Sequence, residues 1–257
     1  MRRLVLAAGV LAAAAQSAAA DFPLSDRRSG YDQMGRETRA MQDDDTANPA
    51  MLWALEGEAS WKRKAGEANR ACSDCHGDAS SSMKGVAARY PAPDAKSGRV
   101  VNLDQRINAC RVERQQAKPL AYESRELLAL AAYVGRQSRG MPIDVPLDGR
   151  SQRALDAGRE LYNRKIGQID LSCAQCHDQN WGRHLAGNAI PQAHPTGYPI
   201  YRLEWQGVGS LQRRLRNCMS GMRAEAYDYG AQELVDLEYY LMWRARGMKL
   251  ETPAVRP

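Results

Sequence analysis

Apolar positions recur with a helical period in two widely separated parts of the chain. Ala154, Leu155, Gly158, Leu161 and Tyr162 fall on one helical face, and Leu234, Leu237 and Leu241 follow later at i, i+3 and i+7. Leu127, Leu130 and Val134 repeat the second pattern about a hundred residues upstream. No alternating run suggests a strand, so the pattern predicts an all-α chain.

The same spacing extends to other positions as an internal repeat. Gly57 and Trp61 recur as Gly158 and Tyr162 at an offset of 101 residues. Glu126-Leu127, Leu130, Tyr133 and Arg139-Gly140-Met141 recur as Glu233-Leu234, Leu237, Tyr240 and Arg246-Gly247-Met248 at an offset of 107. The chain therefore reads as two copies of one unit, 49–141 and 151–257. Residues 142–150 have no period and contain two Pro, which marks a linker. Residues 21–48 are polar and charged, and read as an N-terminal arm that wraps the surface or a partner, or as a disordered tail.

Of the 257 residues, 36 are basic and 30 acidic. Arg2-Arg3, the apolar run Leu4–Ala15 and Ala18-Ala19-Ala20 predict a secretory signal peptide over 1–20, with the mature protein in the periplasm. Removing Arg2 and Arg3 takes the net charge from +6 to +4. With no dense Lys/Arg run, nucleic-acid binding is not expected. No other stretch approaches 18 apolar residues, so no membrane span is expected in the mature form.

Cys72-Ser73-Asp74-Cys75-His76 and Cys173-Ala174-Gln175-Cys176-His177 carry the chemistry, again 101 residues apart. Cys-x-x-Cys-His is the attachment sequence of c-type haem. On one helical turn, i, i+3 and i+4 share a face, so two thiols reach one porphyrin while the His reaches its iron. A single zinc site from the two CxxC pairs is the alternative, but such pairs usually lie about 15–20 residues apart, and zinc does not need the His. The reading is two covalent c-type haems on two tandem cytochrome c-like domains. Cys72, Cys75, Cys173 and Cys176 attach them, and His76 and His177 ligate iron.

Met83, Met141, Met219 and Met248 are candidates for the opposite axial position. Met141 and Met248 follow the final helix of each unit, whereas the distal ligand of a cytochrome c domain precedes it. Cys110 and Cys218 do precede it, in the matched contexts Arg106-Ile107-Asn108-Ala109-Cys110-Arg111 and Arg214-Leu215-Arg216-Asn217-Cys218-Met219. The basic neighbours are expected to lower the pKa of each thiol. A Cys110–Cys218 disulfide is the alternative. His184 and His194 lack counterparts in the first unit and are weaker ligand candidates. The loop from His177 to Cys218 is 41 residues against 34 from His76 to Cys110, and is richer in His, Arg and aromatic residues. A substrate site is therefore expected at the second haem.

Two CxxCH motifs, each followed by a lone Cys, resemble the dihaem SoxA family of SoxAX cytochromes of bacterial sulfur oxidation. The specific part is His194-Pro195-Thr196-Gly197-Tyr198-Pro199, then Arg202, Trp205 and Arg213-Arg214-Leu215-Arg216-Asn217-Cys218. The resemblance implies His/Cys ligation at both irons, by Cys110 in the first unit and Cys218 in the second. It implies a persulfide on catalytic Cys218, with Arg214 binding the substrate anion. It also implies oxidative joining of thiosulfate to a cysteine of the SoxYZ carrier and a heterodimer with the monohaem cytochrome SoxX. If helical, the segment puts Arg214 about one turn from Cys218, where a planar guanidinium suits a sulfonate. A thiosulfate dehydrogenase making tetrathionate and a plain dihaem electron carrier are the alternatives.

Overall fold

The computed structural model describes residues 22–257, so the predicted signal peptide lies outside the described residues. The arm contains α1 (Arg36–Asp43), and the first unit contains α2 (Ala50–Lys62), α3 (Cys72–His76), α4 (Ala79–Ser82), α5 (Leu103–Cys110) and α6 (Arg125–Arg136). The second contains α7 (Gln152–Asn163), α8 (Cys173–His177), α9 (Leu211–Gly221) and α10 (Gln232–Arg244). In each unit the helix before the motif packs against the last helix, α2 on α6 and α7 on α10. All five apolar positions read on the α7 face are buried, as are Leu234, Leu237 and Leu241 on α10 and Leu127, Leu130 and Val134 on α6.

Gly57 and Gly158 explain why both pairs cross so closely. A Cβ on Gly158 would lie 2.1 Å from the Asp236 carbonyl oxygen, and one on Gly57 2.1 Å from that of Ala129. The contact is backbone, so the helices themselves would have to separate. Gly158→Ala gains about 1 kcal/mol of helix propensity but meets an overpacking cost of about 1–3 kcal/mol or more. A net loss of stability is expected, read as a lower denaturant midpoint; an unchanged midpoint would show that the crossing can relax.

The all-α expectation needs correcting. Seven short strands occur among the described residues. β1 (Ala92–Pro93) pairs with β2 (Val100–Val101), and β3 (His184–Leu185) with β4 (Asn188–Ala189), both antiparallel. β5 (Ile200–Arg202) lies between antiparallel β6 (Gly207–Gly209) and parallel β7 (Ala254–Arg256). Strands of two or three residues are too short to show alternation, and β7 is recruited from the far end of the chain.

The region read as a linker is stitched to the second unit. Ile143 and Val145 join its core, and the Ile143 N–H donates to the Met248 carbonyl at 2.9 Å. The arm also wraps this unit. The Arg28 N–H donates to Gln192 Oε1 at 2.7 Å, Gln33 Nε2 to the Ile190 carbonyl at 3.2 Å, and the Val255 N–H to Gln42 Oε1 at 3.0 Å. Between the units, Glu238 Oε1 accepts from Asn102 Nδ2 at 3.1 Å, and within the second unit the same oxygen accepts from Gln212 Nε2 at 2.6 Å. Burial pushes the Glu238 carboxyl up to about 8, so this carboxyl is mostly neutral at neutral pH.

Candidate functional site

Each motif forms one helical turn because a polar cap starts it. The Ser172 hydroxyl accepts from the Gln175 N–H at 3.2 Å, and Gln175 Oε1 accepts from the Ser172 N–H at 2.9 Å, a reciprocal capping box. At α3 Asp74 supplies the returning half, accepting from the Ala71 N–H at 2.9 Å. An aromatic residue then pins each turn from below. Trp61 Nε1 donates to the carbonyl of Gly77, and the Tyr162 hydroxyl to Asp178 Oδ1, at 3.0 and 2.8 Å. Gly77 and Asp178 each directly follow the motif His. Asp178 is further held by Arg244, whose Nη2 donates to the same oxygen at 2.5 Å.

A second matched glycine pair brings each motif to its lone Cys. Gly66 and Gly167 have φ of +66° and +74°, and a Cβ on either would sit 2.0 Å from a carbonyl oxygen, of Gln115 and Met222 respectively. Those carbonyls belong to the chain just after Cys110 and Cys218. The turn before each motif is thus clamped to the end of the helix bearing the lone Cys. Both glycines were missed in the sequence, although their 101-residue offset marks them.

The thiols group accordingly. Cys110 interacts electrostatically with Cys72 and Cys75, and Cys218 with Cys173 and Cys176. All six cysteines are free, so the alternative Cys110–Cys218 disulfide is not formed. The expected lowering of the Cys110 thiol is overturned: burial pushes it up, against the pull of Arg106.

The long second loop builds a cavity of about 330 Å³, within the roughly 300–1,000 Å³ of ordinary small-molecule sites. His177, Cys218, Arg202 and Arg214 line it together. His177 Nδ1 donates to the Pro191 carbonyl at 2.6 Å, which fixes the tautomer and frees Nε2 for a metal. Burial pushes this imidazole down to about 4, keeping it in the neutral form that ligates. Thr196 is 1% exposed, lines the same cavity, and its hydroxyl has no partner among the described residues. A cavity lined by an oriented imidazole, the Cys218 thiol and an unused hydroxyl, with the attachment thiols Cys173 and Cys176 close to Cys218, fits a haem, with His177 and Cys218 as the residues that could hold its iron. In the first unit His76 packs 5.6 Å from the Trp61 ring, with Cys72 half-buried and Cys75 exposed.

Arg214 reaches the cavity because α9 is amphipathic. Ser210 caps it, accepting from the Arg213 N–H at 3.1 Å, and Leu211, Leu215 and Met219 are buried. Arg214 and Cys218 then lie one turn apart on an adjoining face, as expected. The neighbouring arginines are committed elsewhere. Arg213 stacks on Trp205 and Arg216 on Tyr229, at 4.4 and 4.5 Å from the ring centres. Arg106, the positional twin of Arg214, is tied down: it meets Asp94 at 2.5 Å and the Tyr90 hydroxyl at 3.2 Å. Asp94 is itself held to about 2, first by the Ser97 N–H.

His184 stands exposed at the cavity rim, on β3. His194 is buried in the wall and donates from Nδ1 to the Arg28 carbonyl at 3.0 Å. Gly30, Gln33 and Met34 of the arm and Arg256 of β7 complete the wall. The sequence offered no signal for these, since the arm and β7 reach the site by long-range packing alone.

A family model of the SoxA/TsdA cytochrome c domain matches residues 56–143 and 157–250. The chain is 38% identical over 235 residues to the L-cysteine S-thiosulfotransferase subunit SoxA of Pseudaminobacter salicylatoxidans, covering 91% of this chain and 82% of that protein. It is 36% identical to the subunit of the same description from Rhodovulum sulfidophilum, covering 89% and 80%. Among solved structures, SoxXA from P. pantotrophus superposes with a TM-score of 0.87 at 31% identity, covering 90% of this chain and 87% of that one.

Proposed function

The chain belongs to the SoxA/TsdA cytochrome c family, and we propose on that premise that the site around Cys218 joins thiosulfate oxidatively to a cysteine of a SoxYZ-like carrier protein. It is an L-cysteine S-thiosulfotransferase subunit carrying covalent c-type haem. Our reading gives it two haems, attached through Cys72 and Cys75 and through Cys173 and Cys176. The axial pairs are His76 with Cys110 and His177 with Cys218. A SoxX-like monohaem cytochrome is its partner, in keeping with the SoxXA likeness. The proposed location is the periplasm, from the signal peptide read over residues 1–20.

In the reaction an S–S bond forms between the carrier Sγ and the terminal sulfur of thiosulfate. The thiol proton is released and two electrons leave. A haem bound here would take one electron at a time, so the two electrons would be shared with the haem of the first unit or of the monohaem partner. Arg214 takes the sulfonate end through charge-assisted hydrogen bonds and orients the terminal sulfur toward Cys218. Cys218 carries the relay sulfur as a persulfide. The long loop encloses the reacting sulfurs, and the arm closes its outer wall.

The observation that carries this reading is the contrast between the twin arginines: Arg106 is tied by an anchored Asp94, whereas Arg214 lines the cavity with Cys218. Arg214→Ala should lower kcat/KM for thiosulfate about ten- to a hundredfold, the loss of one charged hydrogen bond of roughly 1.5–3 kcal/mol. Arg106→Ala should leave that value near the unaltered one. Equal impairment by both would sink the assignment to the second unit.

A further inference from the structure

A thiosulfate dianion carries one more charge than Arg214 alone can match, and a second guanidinium stands beside it. Arg202 ends β5, its side chain is 12% exposed, and it lines the same cavity. Its Nε is buried without an aligned hydrogen bond among the described residues. Burial lowers the Arg202 pKa, and the nearby positive charge of Arg214 lowers it further. Two like charges are held side by side in a partly desolvated wall, and the local counterion is shared.

That counterion is Glu204, in the turn between β5 and β6. One oxygen, Oε1, sits 2.9 Å from Arg202 Nε and 3.8 Å from Arg214 Nη1. The Glu204 side chain is 44% exposed, and its carboxylate accepts no hydrogen bond among the described residues. The first unit is the contrast, because Asp94 is fastened to the Ser97 N–H at 2.8 Å and to Arg106. An unaligned ion pair whose carboxylate side is open to solvent is readily exchanged. A tetrahedral sulfonate offers three oxygens and can accept from two guanidinium groups together.

We propose that Arg202 and Arg214 form a two-armed clamp for the sulfonate group, and that Glu204 is a displaceable internal anion occupying the clamp until substrate replaces it. This deepens the thiosulfate reading above and rests on it. Arg202 is then a second binding arm. Glu204 sets selectivity: a dianion held by both arms displaces it, and a monoanion held by one does not.

The test is calorimetric titration of thiosulfate into the oxidised holoprotein, in complex with its monohaem partner and without carrier protein. Glu204→Gln should tighten Kd about two- to fivefold, as expected for removing a competitor held by a weak, unaligned pair whose carboxylate is solvent-exposed. It should also raise affinity for chloride measured as a competitor. Arg202→Ala should weaken Kd by roughly tenfold or more, and Arg202→Lys should restore part of the loss. Weaker binding by Glu204→Gln would mean that the carboxylate only orients the arginines. Unchanged binding would mean that it does not compete. Either result overturns the displacement, and an unchanged Kd in Arg202→Ala overturns the second arm. Should the unaltered protein bind no thiosulfate, the functional reading falls together with this one. Binding by the unaltered protein without tightening in Glu204→Gln sinks the displacement alone.

Discussion

Cys218→Ala is expected to abolish turnover at every thiosulfate concentration while leaving the protein folded and its haem covalently attached. Attachment depends on Cys173 and Cys176, which lie on a turn that Ser172 and Gln175 cap without help from α9. The α9 helix keeps its buried face of Leu211, Leu215 and Met219, so removing one half-buried sulfur from an adjoining face costs little stability. The chemistry loses both proposed contributions of that sulfur, as iron ligand and as relay. Arg214 remains, so substrate should still bind. Haem content per chain, the oxidised absorption spectrum and turnover with the carrier protein measure the three parts separately. A spectrum identical to that of the unaltered protein would remove Cys218 from the ligand set, and residual turnover above a few per cent would remove it from the chemistry.

Arg244→Met is expected to destabilise the second unit by about 3–5 kcal/mol, the usual cost of leaving one buried charge without its partner. The Arg244 side chain is 2% exposed and that of Asp178 5%. Arg244 also donates from Nη1 to the Tyr162 hydroxyl at 2.5 Å and lies 4.5 Å over the Tyr162 ring. Asp178 directly follows His177, so this network sets the floor beneath the proposed iron ligand. Adding Asp178→Asn to Arg244→Met should recover much of the loss, because no charge is then left uncompensated. Urea midpoints of the single and double variants decide it. A single variant losing less than about 1 kcal/mol would mean that water reaches Asp178 and that the pair is not structural.

The sequence by itself determined the repeat, the helical faces and the chemistry of the motifs. These are local properties: a face follows from 3.6-residue periodicity, and two thiols and an imidazole meet within one turn. Arg214 and Cys218 were placed one turn apart for the same reason. Which arginine is available was a tertiary matter, since Arg106 and Arg214 stand in nearly the same local sequence. They differ through Asp94 and Tyr90, brought to one, and Glu204, brought loosely to the other. Arg244 has Gln137 at its repeat position, so nothing in the periodicity announced the buried network under His177. The strands escaped notice because two or three residues carry no readable alternation, and β5 meets β7 across some fifty residues. The arm looked featureless because its order comes from hydrogen bonds to Gln192, Ile190 and Val255, each more than 150 residues away. Long-range contacts of this kind leave no pattern in the segment that makes them, so the enclosure of the second site was decided only when the chain closed on itself.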